Sequence, residues 1–102
     1  MKTTQLRRYD IQPGAMDRFL EWFSGPLMVA RAAHGFHPES AYVDALENTV
    51  VWVVSREGSE SEFLAAEKIY EQSPERAHAF ESYPGTIATK YASIVRPIPV
   101  SN

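Results

Sequence analysis

Apolar residues run without a polar gap through the centre of Thr49-Val50-Val51-Trp52-Val53-Val54-Ser55. Valine and tryptophan favour the pleated conformation and the run is short, so it predicts a strand. Alternation puts Val50, Trp52 and Val54 on one face and Val51 and Val53 on the other. Both faces need cover, yet helices of so small a chain can cover only one. Burying a large apolar side chain contributes about 1.5 to 3 kcal/mol. A wet face would forgo on the order of 5 kcal/mol of a total stability near 5 to 15, which implies a second subunit. The pattern does not say which face of Val50 to Val54 meets the partner and which meets the core.

The same reading extends along the chain. Gln5 to Ile11 predicts a strand with Arg7, Tyr9 and Ile11 on one face and Leu6, Arg8 and Asp10 on the other, ended by Pro13-Gly14. Met16, Phe19, Leu20, Phe23, Leu27 and Ala30 recur at three and four residues, the stripe of a helix packed on the sheet. Gly25-Pro26 falls inside it; proline lacks the amide that would bond the Trp22 carbonyl, so a kink or two separate helices are expected. His34-Gly35 ends the helix. Phe36 to Asp44 predicts a strand with Phe36, Ser40 and Tyr42 on one face, irregular at Pro38, and Ala45 to Asn48 closes a hairpin. Ser59-Glu60-Ser61-Glu62 fits a capping box, followed by an apolar stripe of Phe63, Ala66, Ile69 and Tyr70. Ser73-Pro74 opens a short helix to Phe80, and Thr86 to Val95 reads as the last strand, leaving an extended tail. The order is βαββαβ: an α+β, ferredoxin-like fold with a four-stranded antiparallel sheet and helices on one face.

Composition narrows the function classes. The 102 residues are read as one domain, 1-102, with 44% hydrophobic and 23% charged residues, ordinary for a folded protein. Cysteine is absent, which excludes disulfides and thiolate chemistry. No stretch has the length of a membrane span or a signal-peptide core, so a cytoplasmic setting without membrane contact is expected. A net charge of −3 and a lone Arg7-Arg8 pair argue against nucleic acid as a partner.

Catalytic motifs are sparse. His34 and His37 flank a turn without a third ligand, so neither a metal nor a cofactor is expected; His78 sits among Glu75, Arg76 and Glu81. Glu60, Glu62, Glu67 and Glu71 read as solvated helix positions, and no serine has a nucleophile-elbow setting. No catalytic residue is assigned. Aromatic side chains are the better lead, because a small-molecule pocket combines apolar walls with a few polar groups. Tyr9, His37, Tyr42 and Trp52 are the candidate lining, with Arg8 as an anion contact.

Leu6-Arg7-Arg8-Tyr9-Asp10-Ile11 with Pro13-Gly14, then Phe19-Leu20-Glu21-Trp22, His34-Gly35-Phe36, Val51-Trp52-Val53 and Ser73-Pro74-Glu75-Arg76, taken in order, resemble the NIPSNAP family of the dimeric α+β barrel superfamily. The resemblance implies a homodimer in which two sheets form a barrel, and a cavity in each subunit between sheet and helices. It transfers a fold rather than a reaction. Three roles stay open: a NIPSNAP-like homodimer binding a small apolar or aromatic molecule; a cofactor-independent monooxygenase or isomerase acting on an aromatic or quinone-like substrate; and a non-enzymatic interaction module. A cavity between sheet and helices separates the first two from the third.

Overall fold

The computed structural model describes residues 1–101. Its elements run β1 (Lys2–Ile11), α1 (Met16–Trp22), a π-turn (Phe23–Leu27), α2 (Met28–Ala33), β2 (His37–Asp44), β3 (Thr49–Glu57), α3 (Glu60–Glu71), α4 (Pro74–Phe80) and β4 (Ile87–Val95). The strands form one antiparallel sheet in the order β2-β3-β1-β4, the ferredoxin-like arrangement expected from the element order. No helix among the described residues is long and apolar enough to cross a membrane.

The valine-rich run is β3, and its two faces have different surroundings. Val50, Trp52 and Val54 are buried beneath the helices, while Val51 and Val53 are only partly covered. Phe23 meets the Trp52 ring edge-on at 5.1 Å, and Tyr9 of β1 meets Phe19 in the same way at 5.7 Å. Phe63 and Tyr70 of α3 both close on Phe36. The core therefore lies wholly between the sheet and the helical layer.

Local signals set the element ends. Gly35 takes a left-handed φ of 79° after α2, a conformation that glycine adopts without a Cβ clash. The Ser59 side chain accepts from the Glu62 amide while Glu62 accepts from the Ser59 amide, the reciprocal cap that the sequence predicts. Ser73 joins two helices: its hydroxyl donates to the Tyr70 carbonyl at the end of α3 and accepts from the Arg76 amide at the start of α4.

Three expectations change. The chain neither breaks nor divides at Gly25-Pro26; the helix widens into the π-turn, which absorbs the missing proline amide, and continues to Ala33. In β2 the pairing shifts between Pro38 and Ser40, so strict alternation fails. Phe36 stays among the helices, whereas Tyr42, opposite Val51, faces away from them. Ile69 is exposed, because the stripe of α3 runs through Phe63, Ala66, Glu67 and Tyr70.

Candidate functional site

A cavity of about 310 Å³ lies on the helix side of the sheet, where the helical layer leaves β4 uncovered. Its floor is Arg7 and Tyr9 of β1 with Ala88 and Lys90 of β4. Trp22, Leu27 and Arg31 line it from the first helical segments, Tyr70 from α3, Arg76 and Phe80 from α4, and Tyr83 from the following turn. Trp22 is fixed by donating its indole N–H to the Ala79 carbonyl at 2.8 Å. Its ring packs on Phe80 and Tyr83 at 5.0 and 4.9 Å, which makes an aromatic wall.

Period two along β1 sends Gln5, Arg7 and Tyr9 to this side, and they form a ladder. Arg7 donates from Nε to the Tyr9 hydroxyl and from Nη1 to Gln5 Oε1, each at 2.9 Å. Glu67 of α3 reaches the same layer, with Oε2 3.6 Å from Arg7 Nη1 and 3.9 Å from Arg31 Nη1, beyond hydrogen-bonding distance of either. Arg31 is the most unusual residue present. It is 4% exposed, its Nε and Nη1 have no hydrogen-bond partner among the described residues, and its guanidinium stands 4.4 Å from the Tyr70 ring centre, 5.2 Å from Phe36 and 5.6 Å from Trp52. Those ring faces partly replace lost hydration of the charge. Burial, and then the nearby Arg7 charge, hold the Arg31 pKa below its ordinary value; burial raises that of the Tyr70 hydroxyl, which keeps its proton and also has no partner.

The residues nominated from sequence are not brought together. Tyr9 lines the cavity, and Trp52 lies beneath it in the core with no exposed surface. Arg8 and Tyr42 are on the opposite side of the sheet, and His37 is exposed at the start of β2. The alternation of β1 turns Arg7 toward the cavity and Arg8 away from it. Arg8 Nη2 pairs with Asp10 Oδ1 at 3.6 Å. Glu67, read as a solvated helix position, faces Arg7 and Arg31. Arg31 and Glu67 were missed although a signal existed: Arg31 lies four residues beyond Leu27, and Glu67 four beyond Phe63, both on apolar stripes. His34 is held by Glu75, Nε2 to Oε1 at 2.7 Å, and His78 by Glu81 at 2.8 Å.

The open face of the sheet carries Leu6, Val51, Val53, Tyr42 and Tyr91, the two tyrosines 69% and 58% exposed. Beside them Thr89 and Thr49 donate their hydroxyls to Asp10, and these bonds, the Thr89 bond foremost and with Arg8 adding to them, hold its carboxyl below the usual carboxylate range. The ionised form is thus favoured by folding. Its contribution is complete above the unfolded value of about 3.9 and fades as pH falls through the lower folded value. The difference in thermal stability between the wild type and Asp10→Asn should be present near neutral pH and shrink as pH falls through the lowered folded value; a gap independent of pH contradicts the assignment.

An antiparallel sheet of this order, with helices on one face and a cavity beneath them, defines a ferredoxin-like α+β class. Within that class the chain has the fold of NIPSNAP proteins, as its sequence resemblance implies. A NIPSNAP family protein of unknown function from Agrobacterium tumefaciens superposes with a TM-score of 0.83 at 14% identity, over 98% of this chain and 91% of its own. An uncharacterized NIPSNAP domain protein from Burkholderia xenovorans gives 0.80 at 13% identity, over 100% and 99%. A Nitrosomonas europaea protein named for the antibiotic biosynthesis monooxygenases gives 0.67 at 8% identity, over 95% and 90%. No family model and no curated protein matches the chain.

Proposed function

We propose that the 102-residue chain is one NIPSNAP-like domain that works as a homodimer, each subunit holding a small molecule in the cavity between sheet and helices. The carrying observation is that cavity: about 310 Å³, walled by Tyr9, Trp22, Tyr70, Phe80 and Tyr83 and supplied with a few polar groups. That make-up is typical of small-molecule sites, and the cavity's presence favours a ligand over the interaction-module reading. The dimer is supported by the open face, whose Leu6, Val51, Val53, Tyr42 and Tyr91 form an apolar surface of the kind that a partner covers.

Titrating the protein with a panel of single-ring aromatic compounds, neutral and anionic, tests the cavity. Binders should quench Trp22 fluorescence and shift the amide signals of Tyr9 and Tyr83, with the response lost in Trp22→Phe. A panel in which no compound moves those signals contradicts the reading. Catalysis is the second reading, as a cofactor-independent oxygenase or isomerase, and the Tyr70 hydroxyl in the cavity wall favours it. It additionally requires that a binder be converted to product.

A further inference from the structure

The geometry points to an anion as the occupant: a carboxylate carried on an aromatic ring, its charged end on Arg31 and its ring against the Trp22 and Tyr83 wall. This rests on the cavity reading above and adds the ligand's charge and chemical class.

The chain as a whole is acidic, with a net charge of −3, yet the cavity lining has the opposite balance. Among the described residues Arg7, Arg31, Arg76 and Lys90 line it, and no aspartate or glutamate does. The nearest identified acid, Glu67, stands between Arg7 and Arg31 at salt-bridge distance and hydrogen-bonds to neither, so one carboxylate faces two guanidiniums. Arg76 is turned toward the Phe80 ring at 4.0 Å rather than toward an acid. Cations gathered in a low-dielectric recess with too few acids raise the local concentration of anions.

Arg31 gives the charge a position. A guanidinium buried this deeply, with Glu67 no closer than 3.9 Å and no hydrogen-bonded acceptor at Nε or Nη1, is costly, and the cost is relieved when an anion accepts its donors. Tyr70 adds a second donor without a partner in the wall of the same cavity. Among the described residues neither group hydrogen-bonds an acceptor, and the one carboxylate oxygen within salt-bridge distance of Arg31, Glu67 Oε2, also faces Arg7, so the complement is an acceptor-rich, negatively charged group. The remaining surface is largely aromatic, and the volume of about 310 Å³ has room for one ring with its acid. A guanidinium binds planar carboxylates well, and the ring supplies apolar contact that an inorganic anion lacks.

Isothermal titration with benzoate, its neutral isostere benzamide and inorganic phosphate tests the assignment. Benzoate should bind at least tenfold more tightly than either of the others, and its affinity should fall with added salt. Arg31→Met should abolish the preference for benzoate over benzamide while the variant keeps its circular dichroism spectrum and cooperative unfolding, because the side chain keeps its length and Arg7 still faces Glu67. Lys90→Gln, on an exposed strand and without a core role, should weaken benzoate severalfold and leave benzamide unchanged. Equal binding of benzoate and benzamide, or an unaltered preference in both variants, overturns the anion assignment while leaving the cavity as a ligand site. Phosphate binding as tightly as benzoate overturns the aromatic carboxylate. Failure of all three probes overturns the proposal, and the cavity reading falls with it only if the wider panel also leaves Trp22 and Tyr83 undisturbed.

Discussion

Val54→Asp should leave a chain that does not fold. Val54 has no exposed surface and lies under the helical layer, in the same row as Trp52 and Val50. The substitution removes about 1.5 to 3 kcal/mol of apolar burial and asks the core to accept a carboxylate without a partner, at several kcal/mol more. Together these approach or exceed the roughly 5 to 15 kcal/mol of a domain. Far-ultraviolet circular dichroism should show the loss of helix and sheet signal together. A native spectrum with a cooperative urea transition would mean that this face is not the core.

Val53→Asp, one residue away, should do something different. Val53 points to the open face, where Leu6 and Ser40 are its cross-strand neighbours, so the new carboxylate meets solvent in an isolated subunit. Val51 is a poorer site for the test, because its cross-strand neighbour Arg8 could pair with the acid. The subunit should keep its circular dichroism spectrum and thermal cooperativity while light scattering coupled to size exclusion reports a shift from dimer to monomer. A carboxylate trapped without a partner against an apolar surface loses its hydration, which is why a folded subunit can lose its partner. Similar behaviour of the Val53 and Val54 variants in both measurements would contradict the division between faces.

The alternation within β3 was legible from its residues. Assigning the faces required the helices: only when Phe23 is seen against Trp52 does the even-numbered row become the core. Caps were legible because they depend on neighbours three residues apart, as at Ser59 with Glu62 and Ser73 with Arg76. The site was less legible for two reasons. A strand's phase is reversed by a single step, so Arg8, named as an anion contact, lies on the side of the sheet away from the cavity and Arg7 on the cavity side. The bulge at Pro38–Ser40 likewise separated Phe36 from Tyr42. Arg31 was passed over because charge usually marks the wet side of a helix, and its burial depends on three rings contributed by β3, α3 and the turn before β2.

The π-turn shows how a local irregularity serves the site. Proline without its amide would interrupt a regular helix, but widening across Phe23–Leu27 lets the chain continue, and Leu27 and Arg31 both reach the cavity wall. The same sequence that looked like a break is therefore part of what brings an arginine under the sheet.

Native mass spectrometry of the purified protein counts its subunits, and with the Val53→Asp protein beside it tests whether a second copy covers the face of β3 that the helices leave open. Two chains of 11.5 kDa should travel together at micromolar concentration, and the Val53→Asp protein should appear as one folded chain with the narrow charge distribution of a compact species. A wild-type protein that is a single compact chain of 11.5 kDa under the same conditions would leave the Val51 and Val53 face open to water and contradict the assignment.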